Sequence, residues 1–432
     1  MRVLVFSQAA WNTANSFGNT VTNWFDGWED THFFHFYARQ QKPNTDIVEK
    51  YYHVSAVEIL KKALRGKQAG SVLEPADVAV KETATDTNAE QEQIAKLHKS
   101  SNEILYWGME QVWRSGRWLN RRFDAFVEEA DPDVIFAFAT SPYILEPAIK
   151  YIKTKKPSVK VVLWIADDIL AGYEQNAWYR RGYLRKGIDY CIDSADKLYG
   201  ASVEMCEKYS SIYGKEVKPL YKGCTFDRPL KENNNSPLRM AYAGNLLYGR
   251  IDTLKEIIKT LREINSGGTR AVLEVYSNTP IDENEKHQWF DDVNAFYKGV
   301  RTYEEIKGIL NEADIVLHVE SFEPEQMEAV KYSFSTKIID CLQSGSVVLG
   351  IGPVNIASIE YLRKVDGAFV VDDPSMIYES LNNLVNRQEY LLEKARSTRE
   401  YAIENHEISR VRQRLYDDFS KLIGHTQRVV ED

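Results

Sequence analysis

Residues 315–351 contain Ile-Val-Leu-His-Val (315–319), then Tyr-Ser-Phe-Ser-Thr-Lys-Ile-Ile-Asp-Cys-Leu-Gln-Ser-Gly (332–345), then Val-Val-Leu-Gly-Ile (347–351). The outer two runs are short, rich in β-branched residues and apolar on both faces. Strands covered by helices on both sides read this way. Ser335–Gln343, between them, carries a helical pattern. Strand, helix, strand is the repeating unit of a parallel α/β sheet with right-handed crossovers.

The same alternation extends in both directions. Arg239–Ala243, Ala271–Tyr276 and Ala368–Val371 complete a second strand series, with helical segments at Leu254–Ile264 and Tyr303–Asn311. Val3–Phe6, Val134–Ala137 and Val161–Ile165 form a first series. Residues 223–237, with three Asn and two Pro, separate the two as a linker or exposed loop. The sequence therefore predicts two domains, 1–222 and 238–405. The amphipathic segment Glu407–Ile423 (Ile408, Val411, Leu415, Phe419, Leu422) is expected to return to the first domain, so 406–432 is assigned there. Residues 66–93 have few large apolar side chains and read as a mobile insertion.

Composition excludes several classes of function. The 54 basic and 63 acidic residues give a net charge of −9, which argues against a general nucleic-acid binder. The four cysteines, Cys191, Cys206, Cys224 and Cys341, form no CxxC pair and read as reduced thiols. No signal peptide or membrane span is apparent, so the expectation is a cytoplasmic protein. No metal-ligand spacing is present, and neither a metal nor a cofactor is expected.

Residues 103–127 read as one helix, with Leu105, Met109, Val112, Gly116, Leu119, Phe123 and Phe126 as its apolar stripe. Trp107, Trp113 and Trp118 stand off that stripe among Arg114, Arg117, Arg121 and Arg122. Aromatic and basic residues together suit a peripheral contact at the inner membrane face. A packed helix with a solvated basic edge reads the same way.

Four segments carry chemistry. At 332–345, Ser335 and Thr336 stand at a helix start, Lys337 adds a cation and Asp340 follows one turn on. That set suits a diphosphate and a ribose, although Ser and Thr also serve as plain N-caps. At 242–250, Tyr-Ala-Gly-Asn-Leu-Leu-Tyr-Gly-Arg ends a strand and places Arg250 where it can fork onto phosphate oxygens. Gly18 and Asn19 follow the first strand in a loop rich in Asn, Thr and Ser, where a glycine lets the backbone approach a ligand. Asp167 and Asp168 end the strand 161–165 at a sheet's carboxyl edge, placed to take a proton or hold hydroxyls, or to cap the next helix.

Segments 332–345 and 242–250 resemble the nucleotide-sugar-binding region of retaining GT-B glycosyltransferases, the group 1 or family 4 set. That family's motif runs Glu-Gly-Phe-Gly-x-x-x-x-Glu-Ala-x-x-x-Gly. Phe334, Asp340 and Gly345 fall in register with its Phe, second Glu and last Gly. Asp340 then corresponds to the acid that holds the donor ribose. Ser335 and Thr336 correspond to the residues whose amides meet the diphosphate. Gly244 and Arg250 match the glycine and second cation of the phosphate clamp. Asn245 replaces the first cation, with Lys337 its candidate substitute, and Tyr332 replaces the family's first Glu. Leu273–Ser277, Phe296–Val300 and Ala313–Leu317 recur in the family's order, which implicates Tyr276, Lys298 and Gly299 on the donor side.

The resemblance implies an α/β protein of GT-B type, two Rossmann-like domains with parallel sheets facing across a cleft. It implies transfer of a sugar from a nucleotide-diphosphate donor, retaining and metal-independent. The family commonly carries His-Asp after the strand 161–165, where this chain lacks the His and has Ala166, Asp167 and Asp168; the two acids are the catalytic candidates. The Ser-Phe-Ser-Thr-Lys variant resembles bacterial surface-polysaccharide enzymes, which implies a glycan or lipid-linked glycan acceptor. A sugar-nucleotide epimerase or a non-catalytic GT-B binding subunit fits the same residues.

Overall fold

The computed structural model describes residues 1–63, 65–78 and 103–424. The chain divides into two compact units, Met1–Leu220 with Arg412 onward, and Tyr221–Val411.

The first unit holds an eight-stranded sheet in the order β4-β3-β2-β1-β5-β6-β7-β8. Its strands are β1 Arg2–Phe6, β2 His32–Tyr37, β3 Val48–His53, β4 Ser71–Leu73, β5 Val134–Phe138, β6 Lys160–Ile165, β7 Lys197–Gly200 and β8 Val217–Pro219. Only β4, on the edge, runs antiparallel, pairing Tyr52 with Val72. The expected mobile insertion therefore includes this strand and the helix Pro75–Val78; its residues 79–93 lie outside the described residues. The core is unusually aromatic. Phe6, Phe36, Trp118 and Phe123 are all within 1% of full burial and pack ring on ring. From Arg412 on, the helix Ile408–Leu422 closes this core: Phe419 meets Phe25, Trp28 and Phe136. Residues 425–432 of the segment assigned to this unit lie outside the described residues.

The second unit has six parallel strands in the order β11-β10-β9-β12-β13-β14. They are β9 Leu238–Ala243, β10 Ala271–Tyr276, β11 Ala295–Gly299, β12 Ile315–Val319, β13 Val347–Ile351 and β14 Phe369–Val371. Every residue of β12 and β13 is buried, as the apolar runs require. The segment 223–237 has no helix or regular strand, yet it is fastened along the second unit. Lys231 and Asn235 bind the Asp314 carboxylate, and Arg399 donates to the Phe226 carbonyl at 2.8 Å.

The long helix expected over 103–127 is two helices, Glu103–Arg114 and Arg121–Ala130. Gly116 breaks it with φ +66°, a conformation a side chain disfavours. The break resets the helical phase. Leu105 and Met109 face solvent, while Trp113 and Trp118 are buried in the core. Glu110 also turns inward, where the Arg180 guanidinium grips it through Nε and Nη2 at 3.1 and 2.7 Å.

Candidate functional site

In an open parallel sheet, ligands bind at the carboxyl ends of the strands, where neighbouring strands continue in opposite directions. In the second unit this point lies between β9 and β12, since β9 leads to β10 on one side and borders β12 on the other. Gly244 and Asn245 follow β9, and Glu320 follows β12. Arg250, the first residue of the helix Arg250–Ile264, spans the junction. Its Nε and Nη2 donate to the two Glu320 oxygens, both at 3.0 Å, and Nη1 donates to Asn245 Oδ1 at 2.7 Å. The Glu320 side chain is 3% exposed, and its carboxyl is held below the usual range. Burial opposes that direction; the neighbouring His318 and Arg250 prevail. His318 Nε2 lies 3.3 Å from Oε1 of Glu320 and 3.0 Å from the Ser358 hydroxyl. No motif in the sequence singled out Glu320 or its pairing with Arg250, 70 positions away.

Gly244 is required by close packing. A Cβ there would sit 2.6 Å from the Tyr242 hydroxyl, which donates to the Asn245 carbonyl at 2.5 Å. It would also stand 3.3 Å from Lys337 Nζ, which places that ammonium at the loop. Lys337 makes no ion pair among the described residues. Its residue surface reaches solvent, yet protein atoms crowd the ammonium. That crowding, with the Arg250 guanidinium nearby, pulls its pKa below the ordinary lysine value. Two cations thus approach one another, and the carboxylates that act on the ammonium are those of Asp340 and Glu320.

Asp340 lies one turn beyond Lys337. Its Oδ1 accepts from the Tyr303 hydroxyl at 2.9 Å and pairs with Lys222 Nζ at 3.3 Å. Lys222 is almost wholly buried. Oδ2 of Asp340 has no hydrogen-bond partner among the described residues. Asp340 also borders an open cavity of about 260 Å³, whose lining includes Asp227, Lys307 and Gln343. Lys222 and Tyr303 carried no signal of their own in the sequence.

Other expected donor-side residues are placed differently. The helix begins at Lys337, not Ser335, and has seven residues. Ser335 and Thr336 form a tighter entry turn, their carbonyls accepting from Ile338 and Ile339, and the Thr336 side chain makes no cap bond. Tyr332 lies with its ring 5.6 Å from the Lys331 ammonium. Tyr276 donates its hydroxyl to Glu274 at 3.1 Å. Lys298 lies over the Phe296 ring on the edge strand, and Gly299 ends that strand with φ +66°.

In the first unit, Gly18 and Asn19 are not in a loop. Asn15 caps the helix Ser16–Phe25, accepting from Gly18 N at 2.7 Å, and both residues stand in its first turn. A Cβ on Gly18 would lie 2.1 Å from the Asn12 carbonyl oxygen, so the glycine serves the crossing of that loop. Asp168 caps the helix Ile169–Glu174, and its other oxygen pairs with Lys208 at 2.5 Å. That is the capping role, with the carboxylate tied down. Asp167 is exposed at the carboxyl end of β6.

No protein-family profile and no curated protein sequence matches this chain. Solved structures do. It is similar to the Anabaena protein HepE in complex with UDP, with TM-score 0.63 and 12% identity over 98% of this chain and all of that one. It is also similar to WaaG, a glycosyltransferase involved in lipopolysaccharide biosynthesis, with TM-score 0.57 and 13% identity over 97% and 99%. The trehalose-6-phosphate synthase OtsA gives TM-score 0.59 and 9% identity over 98% and 99%. At these identities the likeness establishes the fold, which is of GT-B type with two parallel α/β units.

Proposed function

We propose that the chain is a glycosyltransferase that takes a sugar from a nucleotide-diphosphate donor and binds the diphosphate at Arg250 and Lys337. The observation that carries this is the β9/β12 junction: a guanidinium held on one side beside an ion-unpaired ammonium, at the sheet position where α/β folds place ligands. Asp340, with no hydrogen-bond partner on Oδ2 among the described residues, is the ribose acceptor in this reading, and Asp167 is the acidic candidate in the first unit. The fold neighbours support the reading, since HepE was solved with UDP and with UDP-glucose. The test is a panel of UDP-, GDP-, ADP- and TDP-sugars scored by thermal shift, followed by product analysis with and without acceptor. A donor that binds and is never consumed favours the non-catalytic reading, which Tyr332 and Asn245 support. A donor converted without acceptor favours an epimerase. The anomeric configuration of the product decides whether the stereochemistry is retained.

For the acceptor we propose a glycan of a bacterial surface polysaccharide on a lipid carrier, reached by peripheral contact with the inner face of the membrane. No helix among the described residues is long and apolar enough to cross a bilayer. The supporting surface differs from the one the sequence implied, because Trp113 and Trp118 are buried. It combines exposed Ile104, Leu105 and Trp107 with Trp178, 83% exposed, all in the first unit. Arg114, on the helix Glu103–Arg114, and Arg181 and Lys186, on the helix Trp178–Ser194, are also exposed. Each such cation contributes about 1 kcal/mol at an anionic surface.

A further inference from the structure

We infer that Glu320 is a positioning residue that aims Arg250 at the donor diphosphate; the inference rests on the glycosyltransferase reading above. A guanidinium has five N–H groups. In Arg250, Nε and one N–H of Nη2 go to Glu320, and one N–H of Nη1 goes to Asn245. The two that remain sit one on each terminal nitrogen. Each terminal nitrogen thus keeps one N–H that no described protein group takes, available to phosphate oxygens. Glu320 therefore occupies the side of the guanidinium and leaves these N–H groups for the ligand.

Glu320 is itself immobilised, which separates it from a carboxylate that a phosphate would displace. Its backbone N–H donates to Ile351 of β13 at 2.8 Å, and its carbonyl accepts from the Thr253 hydroxyl at 2.8 Å. Thr253 belongs to the same helix as Arg250. The residue thus ties together two strands and the helix that carries the guanidinium. Swinging it out would strand buried polar groups.

A carboxylate beside a phosphate site has two opposed effects. It subtracts positive charge, which weakens binding, and it fixes the direction of the guanidinium, which strengthens binding. Glu320→Gln keeps the shape and removes the charge, so the sign of the change shows which effect governs. Direction governs here, because the ammonium of Lys337 already supplies positive charge and a freed arginine would have many rotamers.

The experiment is calorimetric titration of wild type, Glu320→Gln, Arg250→Met and the double variant with UDP, GDP, ADP and TDP and with the matching monophosphates. For the nucleotide that wild type binds, Glu320→Gln should weaken diphosphate affinity about tenfold and lower the diphosphate-to-monophosphate ratio. General loosening of the site would lower both affinities together. In the Arg250→Met background the same substitution should change affinity less than twofold. Equal or tighter diphosphate binding by Glu320→Gln overturns the inference and leaves the glycosyltransferase reading standing. Failure of wild type to bind any of the nucleotides overturns that reading itself. Should Glu320→Gln not fold, Asn245→Ala removes the other anchor of the same guanidinium. A matching loss of the diphosphate-to-monophosphate ratio supports the inference, and an unchanged ratio refutes it.

Discussion

Replacing Lys337 by Met should move stability and donor binding in opposite directions. In the free protein the ammonium is crowded, lies near Arg250 and has no ion pair among the described residues, and its pKa is lowered. A lysine whose folded value lies below its unfolded value costs stability wherever it is charged in both states. That penalty is full at neutral pH and fades as pH rises through the folded value towards the unfolded one. Met fills the stem's volume without the charge, so the variant should melt above wild type at pH 7, with the gap closing at alkaline pH. Binding should fall. One charge-assisted hydrogen bond to a phosphate contributes about 1.5–3 kcal/mol, or roughly 10- to 150-fold in affinity. At a donor concentration of about 100 times the wild-type Kd, ligand stabilisation is about 2.7 kcal/mol; after a 100-fold loss, about 0.4 kcal/mol remains. Thermal melts with and without nucleoside diphosphate, across pH, measure both effects. A variant less stable than wild type that binds as well as before would refute the argument, since Lys337 would then be structural and the phosphate elsewhere.

Wild-type affinity for a nucleoside diphosphate should decline with rising pH earlier than an ordinary lysine dictates. Bound phosphate raises the pKa of Lys337, so binding is fullest below the free value and weakens above it; a flat titration to pH 10 removes Lys337 from the site. Glu110→Gln should cost about 1.5–3 kcal/mol in urea unfolding of the first unit, because it leaves the buried Arg180 with only the partly exposed Glu103, at 3.6 Å, as an ion partner among the described residues; a loss under 1 kcal/mol would show that solvent reaches the pair. Gly18→Ala should cost more than about 3 kcal/mol, since its methyl would collide with backbone rather than a movable side chain, and a normal melting curve would contradict this. Co-sedimentation with anionic liposomes should be salt-sensitive and should drop when Trp107 and Trp178 become Ser; unchanged sedimentation discards the proposed membrane face.

What the sequence made legible is periodicity. Strands such as Ile315–Val319 and Val347–Ile351 are continuous apolar runs, and the helices between them repeat every three to four residues. The strand His32–Tyr37, His-Phe-Phe-His-Phe-Tyr, escaped notice because it lacks β-branched residues and carries two histidines. His35 is nonetheless fully buried, and burial pushes its pKa down to about 3, so it sits in the sheet as a neutral ring. The site was legible where one segment holds its own residues together, as at Gly244, Asn245 and Arg250. It was illegible where partners are distant in the chain. Arg250 and Glu320 are 70 positions apart, and Lys222 and Asp340 are 118 apart. No spacing rule connects such pairs; only the strand order β9-β12 and the packing of Tyr303 against Asp340 bring them together. The helix break at Gly116 was missed for a related reason. A stripe spaced by fours and threes runs through it unbroken, and the reset of phase shows only in the backbone angle.

The helix that seals the first unit is made after the second unit. Phe419 fills a space between Phe25, Trp28 and Phe136, all of which precede the second unit in the chain. Every residue of the second unit is synthesised before that space can be filled. Domains commonly fold in the order in which they emerge, at roughly 5–20 residues per second. Here the order is inverted for completion: the second unit has its whole sequence while the first still exposes an aromatic groove. The nascent chain must carry that groove for on the order of ten seconds or more, the interval in which a chaperone or a wrong partner would find it.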